Sequence, residues 1–398
     1  MATEDCSELE EQAREAIAHL ASFERGSASE GEHRAARWIA SRLDALGAPA
    51  VVERESAHGG YWWPLGLMTL IAGLAALMRS RLGWLIAGGS MAALVTDDVS
   101  GGPKLFRRLL PRRPAWNVVA VTGDPQAERT VVVVAHHDAA HWSLLFSPAV
   151  PEFFGRRFPG SLERAHTTPP VMFPVFAGPL AVFLAGLTGS GLLRRAGAFL
   201  SLGAAGVFCE IGARSVVPGA NDNLSGVAVI LGLASSLRAR PVSGVRVMLV
   251  STGSEESFME GMQAFGRRHF PNLPRESTSF ICVDSVGSPT LMELEGEGML
   301  VMRDYPAPLK DLLSRAARDE GVELVRGLRF RNATDGLISM KAGFPTVMLG
   351  SITHLKAPSN YHWPTDTAEN VDYRTVARAT LVCRRTIELL TADQPSAS

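Results

Sequence analysis

The stretch Thr130–Asp138, TVVVVAHHD, decides how the rest of the chain is read. Four consecutive valines are stiff at χ1 and favour a pleated surface. An apolar run without polar alternation points to a strand buried on both faces, as in parallel sheets sandwiched between helices. His136, His137 and Asp138 follow immediately. In open α/β sheets chemistry gathers at the carboxyl ends of strands, so the same stretch offers a candidate site.

The flanking sequence repeats the pattern. Val51–Glu55, Asn117–Thr122, Val245–Ser251, Ser279–Val283 and Pro345–Gly350 are further strand candidates. Glu8–Leu46 has helical periodicity interrupted near Arg25-Gly26-Ser27, Val227–Leu237 is an apolar helix after a glycine-rich turn, and Val371–Leu390 is a C-terminal helix. Ser29-x-x-Glu32 has the form of a capping box opening the second helix, with Ala35, Ala36, Ile39 and Leu43 on one face. Strands alternating with helices imply an α/β fold, a mixed, largely parallel twisted sheet covered by helices on both faces.

Composition bounds the function. The chain has 398 residues, 46% hydrophobic and 20% charged, with a formal net charge of −1. That excludes a disordered chain, and without a basic excess to neutralise phosphates it argues against nucleic acid as a partner. Cys6, Cys209, Cys282 and Cys383 lie far apart with no CxxC, which suits a reducing compartment. The acidic, amphipathic N-terminus lacks the basic-then-apolar order of a cleavable signal peptide.

Mean hydropathy is +0.10, high for a purely soluble enzyme. Four uncharged apolar segments raise it: Tyr61–Met78, Leu82–Val95, Thr167–Leu193 and Ala196–Cys209, of 18, 14, 27 and 14 residues. They form two pairs split by arginine-bearing tips, Arg79-Ser80-Arg81 and Arg194-Arg195. The expectation is two helical hairpins, inserted at residues 61–95 and 167–213, with residues 1–60, 96–166 and 214–398 forming the α/β domain. A span takes about 20 apolar residues, so two segments are short, and a soluble four-helix cap is the alternative to a membrane location. Tyr61, Trp62 and Trp63 sit where interfacial aromatics belong. Lys104, Arg107, Arg108, Arg112, Arg113, Arg156, Arg157 and Arg214 outnumber the tip arginines, which favours a lipid bilayer partner with the main body on its cytoplasmic side.

Five short motifs follow candidate strands or their loops: His136-His137-Asp138, PGANDNLSG with Asp222, STGSEES with Glu255 and Glu256, FICVDSVG with Asp284, and NYHWPTDT with His362. Singly, each is an ordinary polar residue at a strand end. Together, two histidines and the carboxylates suit a borderline divalent ion such as zinc. A paired-metal site needs a bridging carboxylate and a base that is not a ligand. Adjacent Glu255 and Glu256 can point differently, one to metal and one to water. Asp138, two residues from His136, shares a strand face with it and can orient its imidazole.

The ordered set resembles the co-catalytic zinc aminopeptidases, the family that also includes bacterial leucyl aminopeptidases and glutamate carboxypeptidase II. The matching residues are His136-His137-Asp138, Gly219-Ala220-Asn221-Asp222-Asn223-Leu224-Ser225-Gly226, Glu255-Glu256, Asp284-Ser285-Val286-Gly287, Tyr361-His362 and Asp366-Thr367, with TDGLISMKAGFPTVML before the last pair. The resemblance implies a zinc exopeptidase fold holding two zinc ions per chain and a peptide substrate. It implies that Asp222 bridges the metals, that His136 and Asp284 complete one site, and that Glu256 and His362 complete the other. Glu255 would be the general base, and Tyr361 would help stabilise the oxyanion. Two departures stand out. The family's Gly-Leu-x-Gly-Ser after Glu-Glu is here SFMEGMQAF, and the gap from Asp138 to Asp222 is 84 positions. Glutaminyl cyclase chemistry with one zinc, or a non-catalytic receptor or scaffold, are the alternatives. His137, His141 and His354 carry no assigned role.

Overall fold

A computed structural model describes residues 2–392. Nine strands form one sheet: β1 (Ala50–Ala57), β2 (Arg113–Gly123), β3 (Thr130–His136), β4 (Arg246–Thr252), β5 (Thr278–Val283), β6 (Thr290–Glu297), β7 (Arg303–Asp304), β8 (Val325–Phe330) and β9 (Thr346–Ile352). Their order is β1-β2-β4-β3-β5-β9-β6-β7, with β8 on β6. The centre, β4-β3-β5-β9, is parallel, and the β1-β2-β4 and β9-β6-β7 flanks are antiparallel. The sheet is therefore mixed, with its parallel part where the valine-rich strand lies.

The helices are α1 (Ala2–Ala21), α2 (Glu30–Ala45), α3 (Trp62–Leu77), α4 (Arg81–Val99), α5 (Ala149–Arg157), α6 (Pro159–Arg164), α7 (Phe173–Thr188), α8 (Gly191–Gly212), α9 (Ser225–Ala239), α10 (Glu260–His269), α11 (Ala307–Asp319), α12 (Asp335–Lys341) and α13 (Tyr373–Ala392). Both faces of β3 are covered. Val131 and Val133 enter a core with α1, α2, α9, α11 and α13, whereas Val132 and Val134 enter one with α10, α12 and residues Leu65, Met68, Val95, Phe208 and Ile211 of α3, α4 and α8. All four valines are fully buried.

The apolar segments form two helical hairpins, α3–α4 and α7–α8, packed together as a four-helix bundle. The second hairpin differs from its expected outline. Its turn is Gly189-Ser190, with Gly189 left-handed and Ser190 capping α8, so Arg194 and Arg195 lie inside the first turns of α8. The long third segment yields only a 16-residue helix, while α8 has 22. Backbones approach closely: a Cβ on Gly88 would lie 2.4 Å from Phe183 N, and one on Gly197 2.8 Å from Val182 N. Arg81 donates to Leu187 O and Arg194 to Ala76 O, each at 3.0 Å, so the tip guanidinia satisfy carbonyls at the ends of neighbouring helices. The bundle's outer surface remains apolar, with Leu67, Leu74, Leu77, Ile86, Leu187 and Phe199 exposed.

Both excursions are closed at the neck. β1 and β2 pair as far as Ala57↔Arg113, so α3–α4 occupies the loop of a β-hairpin. Around the second hairpin, His141 bridges Val216 and Val217 N donates to Ala140 O at 2.9 Å.

Candidate metal centre

β4, β3 and β5 are neighbours and run the same way, so their carboxyl ends place His136, the Ser254–Ser257 turn and Asp284 side by side. Asp222 comes from the Gly219–Leu224 turn before α9, and the Asp222–Asn223 peptide is cis. His362 comes from the loop between β9 and α13 with a left-handed backbone. His136 Nε2 lies 3.2 Å from Asp222 Oδ1, 3.8 Å from Asp284 Oδ2 and 3.9 Å from Glu255 Oε2. His362 Nε2 lies 3.1 Å from both Asp222 Oδ2 and Glu256 Oε1. Three groups have one donor atom per residue within 4.8 Å of one another: His136, Asp222 and Asp284; Asp222, Glu256 and His362; and His136, Glu255 and Glu256. Asp222 joins the first two. The structure thus gathers all five residues expected to hold metal, with Glu255 beside them. Tyr361 stacks on His362, ring centroids 3.9 Å apart, and Phe146 meets the His362 ring edge-on at 4.6 Å.

Asp138 sits at the site for a different reason from the one expected. β3 ends at His136, so no shared strand face relates the two. The nearest partner of His136 Nδ1 is the Asp138 main-chain oxygen at 3.1 Å, with the carboxylate at 3.5 Å. That carboxylate instead accepts from Glu255 N at 3.0 Å, Glu256 N at 3.1 Å and Ser27 Oγ at 2.6 Å. It fixes the main chain that carries both glutamates.

Other supports escaped the sequence. Glu32 accepts not from its own helix's cap residue but from Ala28 N, Ser254 N, Ser254 Oγ and Trp116 N, holding the turn before Glu255. Asp366 accepts from Asn221 N and Asp222 N. Asp335 pairs with Thr252 Oγ1 and leaves its other oxygen buried without a partner. A capping-box motif signals only the local half of Glu32's work, and the opening of α12 has no pattern that singles out Asp335. His137 is fully buried on Ser251 Oγ and pushed down to about 3 by burial, and His141 binds Arg214 O; both are structural.

The electrostatics are those of acids crowded out of water. Burial, then Asp222, pushes Asp284 up to about 6. Burial raises Glu256 and carries Glu255 well above the ordinary range, with Glu256, Asp335 and Asp284 adding to the latter. Burial pushes Asp335 up to about 7. Burial opposes a charge on Asp222, but hydrogen bonds from His136 and His362 outweigh it and hold this carboxyl down. Burial likewise opposes protonation of His362, yet Glu256 and Asp222 bring it up to about 10. No Lys or Arg among the described residues forms an ion pair with Asp222, Glu255, Glu256 or Asp284, and the one His362 imidazole nitrogen faces both Asp222 Oδ2 and Glu256 Oε1. Buried negative charge without a cation is costly, and imidazole and carboxylate donors suit a borderline divalent ion. The donor set fits metal.

The sequence model of peptidase family M28 matches residues 207–387, a span that contains Asp222, Glu255, Glu256, Asp284 and His362. Over that span the chain is similar to the M28 peptidases. His136 and both hairpin turns precede the matched span. No curated protein matches significantly. Among solved structures, the chain is similar to an aminopeptidase from Aneurinibacillus sp. strain AM-1, at 13% identity and a TM-score of 0.55, over 95% of this chain and 93% of that one. It is similar to a glutaminyl cyclase of Bacteroides thetaiotaomicron, at 14% identity and 0.56, over 95% and 97%. A Zn-dependent exopeptidase from Parabacteroides distasonis gives 15% and 0.56, over 97% and 98%. At these identities the likeness is one of fold, and it is the zinc exopeptidase fold.

Proposed function

We propose that the chain is a membrane-embedded di-zinc aminopeptidase. The carrying observation is the shared Asp222 carboxylate, which offers one oxygen to the His136 side and the other to the His362 side. In this reading His136, Asp222 and Asp284 hold one zinc, and Asp222, Glu256 and His362 hold the second. Bound there, the pair would supply Lewis acidity that polarises a carbonyl and lowers the pKa of a shared water. The chain does the rest. Glu255, which this assignment leaves free of the metals, takes the proton of the attacking water and returns it to the leaving amine. Asp138 holds the Glu255 and Glu256 amides in place. The Tyr361 phenol lies in the field of Asp222, Glu256, Glu255 and Asp284, where it can donate to the oxygen that becomes negative. The five ligand side chains and Glu255 are 2–13% exposed, with Asp284 and Glu255 the most open, so access is narrow and suits a chain end rather than a continuous strand.

The bundle supports the membrane half of the proposal. Helices that are uncharged throughout (α3, α7) or charged only toward their ends (α4, α8), closely packed through glycine and still showing leucine and phenylalanine outward, match the rules of helix association in lipid. At 1.5 Å per residue α3 and α7 reach about 24 Å and α8 about 33 Å, against a hydrocarbon core of about 30 Å. By length and composition alone, one described helix, Gly191–Gly212, suffices to cross a membrane. The deciding experiment is zinc analysis of the detergent-purified protein with release of single residues from free-amine, N-blocked and N-terminal glutamine peptides. One tightly bound zinc with cyclised glutamine as product would establish the cyclase reading instead.

A further inference from the structure

The segment after the two glutamates, Ser257-Phe258-Met259-Glu260, is where the sequence departs most from the resembled pattern. It is also where the first insertion grips the α/β domain. His58 N and Nδ1 lie 2.8 and 2.6 Å from the two Glu260 oxygens. Gly60 N donates to Ser257 Oγ at 3.0 Å. The Tyr61 ring stacks on Phe258, centroids 4.6 Å apart. Lys104 Nζ donates to Ser257 O and Phe258 O.

Arg107 stands at the centre of this contact and is fully buried. It forks onto both oxygens of Asp98 at 2.6 and 2.7 Å, in the last turn of α4. It also donates to Ser257 O at 3.0 Å and lies 3.3 Å from Glu260. One guanidinium therefore ties the end of a bundle helix to the residue directly after Glu256. The held backbone needs holding: Ser254, Phe258 and Met259 are all left-handed without being glycine. A planar five-donor fork can meet a carboxylate and two main-chain directions at once, which an ammonium cannot.

We propose that Arg107 is a positioning residue for the Glu255–Glu256 turn, and that residues 58–107 are thereby part of the active-site scaffold rather than an appended anchor. The inference rests on the reading of Glu256 as a ligand and Glu255 as the base. Because that reading gives Glu256 to the His362 side alone, where its Oε1 lies 3.1 Å from His362 Nε2, loss of the strut has a site-selective signature.

The test uses full-length protein in detergent, stripped and titrated with cobalt(II) followed by its visible absorption, beside zinc competition with a chelator. Arg107→Met should weaken the Glu256-containing site about 10–100-fold, the cost of losing an outer support of a ligand, while the His136–Asp284 site stays within about threefold. Turnover should fall at little-changed KM. Lys310→Met, which breaks a part-buried pair with Glu295 between α11 and β6, serves as a stability control and should move neither affinity. Should Arg107→Met fail to fold, Asp98→Asn keeps the guanidinium and should give the same selective loss in weaker form. Equal loss at both sites, or none in a folded variant, overturns the strut. Wild-type protein that binds two cobalt ions but cleaves no peptide would overturn the peptidase reading and leave the strut measurable.

Discussion

His136 and His362 present Nε2 to opposite oxygens of one carboxylate, Asp222, at 3.2 and 3.1 Å. The two halves of the centre are joined through that single side chain. Asp222→Asn should weaken both metal sites together, whereas His136→Ala should spare the Glu256–His362 side. Elemental analysis after dialysis against limiting chelator checks this. One site untouched in Asp222→Asn would break the bridging assignment.

Glu255 and Glu256 are adjacent, and the proposal gives them different work. Glu255→Gln should keep full metal and lose about 10²–10⁴-fold in turnover, the usual worth of general acid–base catalysis. Glu256→Gln should lower metal occupancy first. Near wild-type turnover by fully loaded Glu255→Gln would refute the base assignment.

The resemblance to the co-catalytic aminopeptidases leads us to expect cleavage only from a free amino terminus. Product analysis on matched free and N-acetylated peptides tests it. Equal rates on the two, or release from the carboxyl end, would move the enzyme to another branch of the fold.

Metal should enter against protons. In the metal-free site the carboxylates hold His362 up to about 10, while burial holds Asp284 up to about 6, so near neutrality His362 carries a proton that its ligand form lacks. Calorimetry of zinc uptake in buffers of different ionisation enthalpy should show net proton release, and binding should weaken on acidification through about 6 as Asp284 protonates. Uptake without proton release near neutral pH would contradict the arrangement.

Glu260 gives a stability counterpart. Burial would raise its carboxyl, but Arg107, His58 and Lys104 hold it well below 4.5. A depressed acid contributes stability above its unfolded value and loses it as pH falls. Metal-free wild type should therefore lose melting temperature below about 4.5 more steeply than Glu260→Gln, which starts lower but lacks this component.

Full-length protein should resist extraction from membranes by carbonate or high salt and yield to detergent. Removal of α7–α8 alone should leave it partly membrane-bound through α3–α4. Release by carbonate without detergent would return the bundle to a soluble cap.

Much of this was legible in the chain because local chemistry and tertiary placement agree there. The valines of β3 announce a two-sided strand, and motifs at strand ends become neighbours once β4, β3 and β5 lie parallel. Legibility fails where a residue's partner is remote in sequence. Arg107 and Lys104 read as exposed basic residues beside a membrane, yet both are buried against Ser257 and Phe258, which weakens the charge count behind the cytoplasmic expectation. Glu32 reads as a cap and serves a turn more than two hundred positions away. In the second hairpin, the arginine pair suggested the turn, but Gly189 alone supplies the left-handed backbone that a reversal there uses.

The pinched necks of the two excursions have a consequence for how such a chain can exist at all. Joining His136 to Asp222 across an open coil would carry a closure penalty that grows with the logarithm of its length, about 0.6 kcal/mol per doubling. With Val217 hydrogen-bonded to Ala140, the sheet meets only a few residues of slack, whatever lies beyond the knot. A segment tied off in this way is topologically invisible to the strands it separates. Its size and solvent can change without re-registering a single ladder, which in the proposed membrane-embedded reading lets a lipid-facing body and a water-facing sheet share one polypeptide.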